Sequence, residues 1–298
     1  MWQQLTKSLQ HGDTRGIARA ISLVENEAEG YEQFMKDLTV SATPVIGITG
    51  PPGAGKSTLA DALVQLIVQQ NKKVAVLCVD PSSPFNSGAI LGDRIRMAAW
   101  YNHPGVFIRS MATRGSLGGL NHTIIEVTDI LKACPFDFII VETVGVGQSE
   151  VEIAGLADLT IVVLVPEAGD EIQTMKAGLM EIADIFVVNK ADRPGADLFV
   201  HNLQAMLQPG SHHPTTVPVI KTIASTHTGA TELMDAITKK LQTIQSGDKK
   251  YLLLAEKVWQ LVVSKRMRGI DKSALMQELK IKSAEKDFNL YRFAASVK

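Results

Sequence analysis

The chain has 298 residues, of which 45% are hydrophobic, and its formal net charge at pH 7 is −1. This length is ample for one large core with smaller appendages. The balanced charge gives no net-charge argument for nucleic acid or a membrane surface as a partner, so we expect neither. The two cysteines, Cys78 and Cys134, lie far apart without a metal-binding spacing, which favours a reducing compartment over a disulfide framework. With no secretion signal and no apolar stretch of membrane-spanning length, we expect a cytoplasmic protein.

Residues 1–40 predict a helical extension. Ile17, Ile21 and Val24 share one helical face, and Gly12-Asp13 interrupts the pattern just before them. After residue 40, short apolar runs alternate with amphipathic helices, one of which spans residues 57–70. The predicted strands are 45–49, 74–80, 106–109, 136–143, 159–165, 185–189 and 217–221. Several of these are continuously apolar and β-branched, so we expect an α/β fold with a doubly wound, mostly parallel sheet.

A composition break at residues 245–248 predicts the end of the main domain, which would span 41–245. Residues 246–298 then predict a charged helical arm. Its apolar arc is wide and consists of Leu254, Val258, Trp259, Leu261, Val262 and Val263. Such an arc needs a covering surface. Packing on its own domain and a homodimer contact both remain open.

A complete phosphate-loop motif follows the first predicted strand. Residues 50–57 read G-P-P-G-A-G-K-S and are followed by a predicted helix. Glycines let the loop backbone approach a phosphate, and the helix start adds its positive dipole end. Lys56 would place a charge on the β/γ-phosphate oxygens, and the Ser57 hydroxyl would ligate Mg²⁺. The motif indicates a P-loop NTPase, with Gly53, Ala54, Gly55, Lys56, Ser57 and Thr58 as nucleotide-binding residues.

A guanine-recognition motif, Asn189-Lys190-Ala191-Asp192, ends a later apolar strand. A buried Asp192 carboxylate would accept hydrogen bonds from guanine N1–H and the 2-amino group, a donor pair that adenine lacks. Asn189 and Lys190 would hold the loop and lie along the base. Ala224 would contribute a backbone N–H, because Ile223 stands where a serine usually completes this pocket. The nucleotide is therefore expected to be GTP or GDP.

Carboxylates at strand ends predict the magnesium site. Glu142, in Glu142-Thr143-Val144-Gly145, ends one strand and Asp80 ends another, while Asp93 lies in a following polar segment. Carboxylate and hydroxyl oxygens are the ligands that Mg²⁺ takes in nucleotide sites. The expected metal set is Ser57, Asp80, Asp93 and Glu142. A turn-capping role for Asp80 or Asp93 stays open.

The group that activates water is less evident. Val146 follows Gly145 where many GTPases carry a water-orienting glutamine, so we expect slow intrinsic hydrolysis. Candidate cations for the transition state are Arg96, Arg109, Arg114 and Lys176, and a surface or structural role stays open for each of them. Lys176 is favoured because Gly169-Asp170-Glu171 just before it predicts a flexible loop. The expected catalytic set is Lys56, Asp93, Glu142 and Lys176.

Over residues 1–245 the chain resembles the MeaB/ArgK-type GTPases, the chaperones of methylmalonyl-CoA mutase. Beyond the phosphate loop, the resemblance rests on Val79-Asp80-Pro81-Ser82-Ser83, Arg109-Ser110-Met111-Ala112-Thr113-Arg114-Gly115, the run from Glu142 to Glu150, Gly169-Asp170-Glu171-Ile172-Gln173 and the run from Ile182 to Asp192. It implies a GTPase that docks on an adenosylcobalamin-dependent acyl-CoA mutase, gates cofactor loading and protects the mutase. It also implies a homodimer joined by the C-terminal arm and an extra switch at residues 170–176.

Two other functions stay open. Some relatives carry the label of transport-system kinases, and a kinase would need an acceptor site and a base near the γ-phosphate, for which we find no convincing candidate. A metal-insertion GTPase for nickel enzymes would need Cys/His clusters. The pair His212-His213 lies in a Pro-rich stretch that reads as a solvated loop, and both cysteines are isolated.

Overall fold

The computed structural model describes residues 1–80, 97–112, 120, 123–143, 149–168, 177–207, 217–244, 249–267, 269–270, 272–285 and 288–297. The strands are β1 (Val45–Thr49), β2 (Val74–Asp80), β3 (Val106–Ala112), β4 (Phe138–Glu142), β5 (Leu159–Leu164), β6 (Ile185–Val188) and β7 (Val219–Lys221). The helices of the described part are α1 (Trp2–His11), α2 (Thr14–Glu25), α3 (Tyr31–Asp37), α4 (Lys56–Gln69), α5 (Ile124–Lys132), α6 (Ser149–Leu156), α7 (Ala177–Ile182), α8 (Ala196–Met206), α9 (Ala230–Ile244), α10 (Lys249–Met267), α11 (Lys272–Lys282) and α12 (Leu290–Ser296).

The strands form one parallel seven-stranded sheet in the order β3-β2-β4-β1-β5-β6-β7. This confirms the predicted α/β fold class. β1 lies in the middle of the sheet, between β4 and β5. The strands β2 to β4 lie on one side of β1 and the strands β5 to β7 on the other, so the strand order reverses at β1. The carboxyl ends of all strands share one edge, and α/β proteins bind ligands at such a switch point.

Strand positions agree with those expected from the sequence, and most differences are one or two residues at the ends. β3 is the exception, because it extends three residues beyond the predicted end to Ala112. The extension follows from pairing with β2, whose register runs from Val74↔Val106 to Asp80↔Ala112. A neighbouring strand of full length thus supplies hydrogen-bond partners that local apolarity does not reveal.

Both faces of the sheet are covered. One core joins α4 and α9 to the sheet through residues such as Leu63, Ile67 and Ile237. The other joins the N-terminal helices, including Ile17 and Ile21 of α2, to α5 and α6. This two-sided burial explains why the strands are apolar along their whole length.

The N-terminal helices belong to this layered structure. Asp13 caps α2 by accepting hydrogen bonds from the backbone N–H groups of Arg15 (3.2 Å) and Gly16 (3.0 Å). The face predicted from Ile17, Ile21 and Val24 is fully buried. Residues Met1–Leu253 form one compact unit. The functional division into segments 1–40, 41–245 and 246–298 stays a prediction.

The second compact unit comprises Leu254–Lys298. Within it, Asn289 caps α12 by accepting hydrogen bonds from the backbone N–H groups of Tyr291 and Arg292, both at 3.0 Å. The six residues of the predicted apolar arc on α10 are between 38% and 66% exposed. Among the helices that the structure describes, none has the length and hydropathy of a membrane span.

Candidate nucleotide-binding site

The phosphate loop connects β1 to α4, and its geometry requires glycine at two positions. Gly50 has φ of 137°, and a Cβ there would lie 2.1 Å from the carbonyl oxygen of Val163. Gly55 has φ of 89°, and a Cβ there would lie 2.3 Å from Asn189 Nδ2. Any larger residue would therefore displace either β5, which contains Val163, or the loop that begins at Asn189. The glycines of the motif serve close packing around the loop as well as the turn itself.

Lys56 is the first residue of α4 and is buried. Its Nζ donates hydrogen bonds to the carbonyl oxygens of Gly50 (2.8 Å) and Pro51 (3.0 Å), so the ammonium group is folded back over the loop. A positive charge at a helix N-terminus strengthens the attraction that the helix dipole already exerts on an anion. The arrangement can bind a phosphate chain.

Ser57 and Glu142 meet beside this loop. Ser57 Oγ donates a hydrogen bond of 2.6 Å to Glu142 Oε1, and both residues are buried. β4 pairs with β1 so that Glu142 lies opposite Ile48, which brings the carboxylate to the phosphate-loop edge. A second hydroxyl pair, Thr143 Oγ1 donating to Thr49 Oγ1 at 3.0 Å, lies on the same two strand ends. This oxygen-rich edge fits a hard divalent cation such as Mg²⁺.

The remaining members of the expected metal set are placed only in part. The backbone of Asp80 ends β2 at this edge, two residues beyond Cys78, which pairs with Glu142. Its side chain and the whole of Asp93 lie outside the described residues. Among the residues that the structure describes, therefore, Ser57 and Glu142 are the two predicted ligands brought together.

Asn189 joins three loops. Its side chain is buried, and its Nδ2 donates to the carbonyl oxygen of Ala54 in the phosphate loop at 2.8 Å. Its Oδ1 accepts from Thr222 Oγ1 at 3.1 Å and from the backbone N–H of Ala224 at 3.0 Å. These hydrogen bonds are compatible with the loop-holding role expected for Asn189, which stays a prediction. Thr222 was not among the expected site residues, and its one sequence signal is a hydroxyl residue directly after the last strand.

Lys190 makes the second link between the two motifs. Its Nζ donates to the carbonyl oxygen of Gly53 at 2.7 Å, and its backbone has φ of 55°. The next residue, Ala191, donates its N–H to the carbonyl oxygen of Thr222 at 3.0 Å. The phosphate loop and the Asn189–Asp192 motif therefore converge at one edge of the sheet, although they are far apart in the chain.

Two details differ from expectation. Asp192 is exposed rather than buried, because it lies in a surface turn closed by a 3.0 Å hydrogen bond from Arg193 N–H to the Lys190 carbonyl oxygen. The backbone N–H of Ala224, expected to face the base, donates to Asn189 instead. The phosphate loop and the Asn189–Asp192 motif are therefore connected by hydrogen bonds, while the carboxylate expected to bind guanine is exposed.

Two exposed ion pairs flank the Asn189–Asp192 loop, and neither was expected from the sequence. Arg193 Nη1 donates a hydrogen bond to Glu167 Oε1, and Lys221 Nζ donates to Asp197 Oδ1 at 2.8 Å. The hydrogen bond from Arg193 lowers the pKa of Glu167, and the hydrogen bond from Lys221 lowers the pKa of Asp197. Both carboxylates are ionised at neutral pH, so each pair carries full charges.

Comparison with known proteins identifies the family of this chain. The family model described as methylmalonyl Co-A mutase-associated GTPase MeaB matches residues 17–276. The chain belongs to the MeaB family. A Pyrococcus horikoshii protein, whose name gives GTPase as a provisional assignment, is 46% identical over 260 residues, which cover 85% of this chain and 81% of that protein.

Two further similarities extend the family comparison. The mitochondrial methylmalonic aciduria type A homolog of Caenorhabditis elegans is 39% identical over 210 residues, which cover 64% of this chain and 52% of that protein. A crystal structure described as LAO/AO transport system kinase superposes with a TM-score of 0.68 at 24% identity, covering 99% of this chain and 95% of that one. At this identity the structural similarity establishes the fold alone.

Of the cations considered for catalysis in this MeaB-family protein, the structure describes Arg109. Its Nη2 donates to Glu25 Oε2 at 2.5 Å and to Ser22 Oγ at 3.2 Å, both on α2. Because Glu25 is buried, the pair joins the N-terminal helices to the edge strand β3, which indicates a structural role. The other candidates, Arg96, Arg114 and Lys176, lie outside the described residues, as do Gly145, Val146 and His212-His213.

Proposed function

We propose that this MeaB-family protein binds GTP or GDP with Mg²⁺ at the site described above and hydrolyses GTP to GDP and phosphate. The observation that carries the proposal is the contact of Asn189 with Ala54, which holds a guanine-recognition loop against a phosphate loop. A ligand with a base at one end and phosphates at the other could contact both loops, because they meet at one edge of the sheet. Family membership supports the same activity.

At the phosphate end, Lys56 and the N-terminus of α4 would bind the β/γ oxygens, so the ammonium group would exchange its carbonyl partners for phosphate oxygens. Ser57, Glu142, Asp80 and Asp93 would hold the magnesium ion directly or through water. When bound, the ion would neutralise charge that develops on the phosphate oxygens. The hydroxyl–carboxylate pair of Ser57 and Glu142 supports this assignment because both groups supply oxygen.

At the base end, Asp192 would accept the two donors of guanine while Asn189 and Lys190 keep the loop in place. The exposed carboxylate of Asp192 is accessible to a base, and a bound base would cover it. Ionic hydrogen bonds formed in that covered position are stronger than those made in water. This pairing gives selectivity for guanine over adenine.

For hydrolysis we assign water as the acceptor, with Lys176 and Asp93 completing the catalytic set. The competing activity is phosphoryl transfer to a protein or small molecule. GTP labelled on the γ-phosphate distinguishes them. Free labelled phosphate is expected, and its release should disappear in Lys56→Ala. Label retained on a protein or small-molecule acceptor would contradict the assignment and favour a kinase.

We further propose a chaperone role for an adenosylcobalamin-dependent acyl-CoA mutase of the methylmalonyl-CoA or isobutyryl-CoA type. The description of the family and the name of the Caenorhabditis elegans relative support such a partner. Metal insertion stays an alternative, and the pair His212-His213 considered for it lies outside the described residues. Cobalamin would be bound by the mutase, and the nucleotide state would gate its loading.

Purified mutases test the partner directly. This protein would be mixed with each mutase in the presence of GDP or a non-hydrolysable GTP analogue, and the complex measured by gel filtration. We expect the nucleotide state to change the amount of complex, and Lys56→Ala to remove that dependence. A chain that binds neither mutase in either nucleotide state would contradict the chaperone proposal while leaving GTP hydrolysis intact. A cytoplasmic location stays a prediction.

We also propose a homodimer formed through the apolar arc of α10. The supporting observation is that large apolar residues such as Val258 (58%) and Trp259 (66%) are exposed in the single chain. Apolar patches of this kind mark association surfaces in soluble proteins. Sedimentation of the purified protein tests this assembly.

A further inference from the structure

The Glu167–Arg193 ion pair connects two neighbouring strand ends at the base site. Glu167 lies in the 3₁₀ turn Pro166–Ala168, which begins two residues after the end of β5. Arg193 directly follows Asp192 and comes after β6, which pairs with β5 from Ile161↔Ile185 to Leu164↔Val188. Because the strands are adjacent and parallel, their carboxyl ends lie side by side. The pair therefore crosses from one loop to the next.

The position of Asp192 depends on how its loop is held on each side. On the side nearer β6, Lys190 is bonded to Gly53 and Ala191 to Thr222. On the other side, the guanidinium of Arg193 is bonded to Glu167. Asp192 itself is exposed between these two attachments. The carboxylate of Glu167 also lies in the field of Lys190, so it interacts with cations both before and after Asp192.

We propose that Glu167 is a positioning residue for guanine recognition, which acts through Arg193 to orient the carboxylate of Asp192. This inference rests on the proposed function, because it requires Asp192 to bind the base. Glu167 would not touch the nucleotide. Its effect would be confined to discrimination at the purine edge, where Asp192 meets both N1–H and the 2-amino group.

The direction of the change in nucleotide affinity in Glu167→Gln distinguishes a positioning role from a purely electrostatic effect of the Glu167 charge. Glu167 and the nucleotide are both anionic, so removal of the carboxylate by Glu167→Gln would strengthen nucleotide binding if only Coulomb repulsion mattered. Positioning predicts the opposite, since a less well oriented Asp192 binds guanine less tightly. Exposed ion pairs are weak, which corresponds to a change of about two- to fivefold in affinity.

Hypoxanthine provides the specific probe, because it keeps N1–H and lacks the 2-amino group. GDP and IDP affinities would be measured by titration calorimetry for the wild type and Glu167→Gln. We expect GDP to bind about two- to fivefold more weakly to the variant, with a smaller change for IDP, so that the GDP/IDP preference falls. Charge exchange in E167R/R193E should restore part of that preference. The difference in GDP/IDP preference between the wild type and Glu167→Gln should also be smaller at high salt, because salt screens exposed charges.

The second exposed ion pair supplies a matched control. Asp197→Asn removes the ion pair with Lys221, takes away one negative charge near the same loop and leaves Glu167–Arg193 in place. It should keep the wild-type GDP/IDP preference. An unchanged preference in Glu167→Gln, or an equal fall in Asp197→Asn, would overturn the inference. If Asp192→Asn also keeps the wild-type GDP/IDP preference, the proposed base site itself is wrong. If Asp192→Asn loses this preference while Glu167→Gln keeps it, the base site stands and only the role of Glu167 is refuted.

Discussion

Replacement of Asn189 by alanine tests whether one buried amide holds the nucleotide site together. The side chain is 2% exposed and makes three hydrogen bonds, to Ala54 O, Thr222 Oγ1 and Ala224 N–H. A net contribution of about 1 kcal/mol for each bond, together with the cost of leaving buried partners unsatisfied, predicts a loss of about 2–5 kcal/mol in the free energy of unfolding. The truncated side chain adds a small cavity in the same direction.

Urea denaturation followed by circular dichroism measures this loss. Thr222→Val removes one of the three bonds and should cost about 0.5–1.5 kcal/mol. Asn202→Ala makes the same substitution at an exposed position of α8 and should change the unfolding free energy by less than about 0.5 kcal/mol. If Asn189→Ala is no more destabilising than Asn202→Ala, the amide does not connect the loops energetically and the reasoning is refuted.

Three further predictions concern binding and assembly. Lys56→Ala should abolish tight GTP binding with little change in thermal stability; unchanged affinity in a calorimetric titration would contradict the phosphate-site assignment. Asp192→Asn should weaken GTP and GDP and improve the relative affinity for xanthosine nucleotides, because the amide can donate to the 2-oxo group of xanthine; competition binding measures this, and no relative gain would exclude the base-site assignment. The double substitution V258E/W259E should convert a dimer to a monomer in analytical ultracentrifugation, because charge is costly in an apolar contact. Leu198→Glu, which alters a 66% exposed apolar residue on α8, serves as its control, and a wild-type protein that sediments as a monomer would disprove the dimer.

The sequence alone determined the elements whose cause is local. β1 and β2 were predicted residue for residue, because buried parallel strands are short, continuous apolar runs bounded by turn residues. The phosphate loop was equally evident, since glycines at fixed spacing between a strand and a helix have a backbone reason to be there. The wide apolar arc of α10 was also predicted, because its residues recur at helical spacing.

Only the tertiary structure decided how the site is assembled. Asn189 and Ala54 are 135 positions apart in sequence, and their contact depends on the order β4-β1-β5-β6 rather than on either motif. The same holds for Thr222 and for the Glu167–Arg193 pair, because their partners lie on neighbouring loops. The structural role of Arg109 follows from its contact with Glu25 on α2, which the sequence pattern does not show. Local patterns fix which groups are present, whereas strand order and register fix which of them meet.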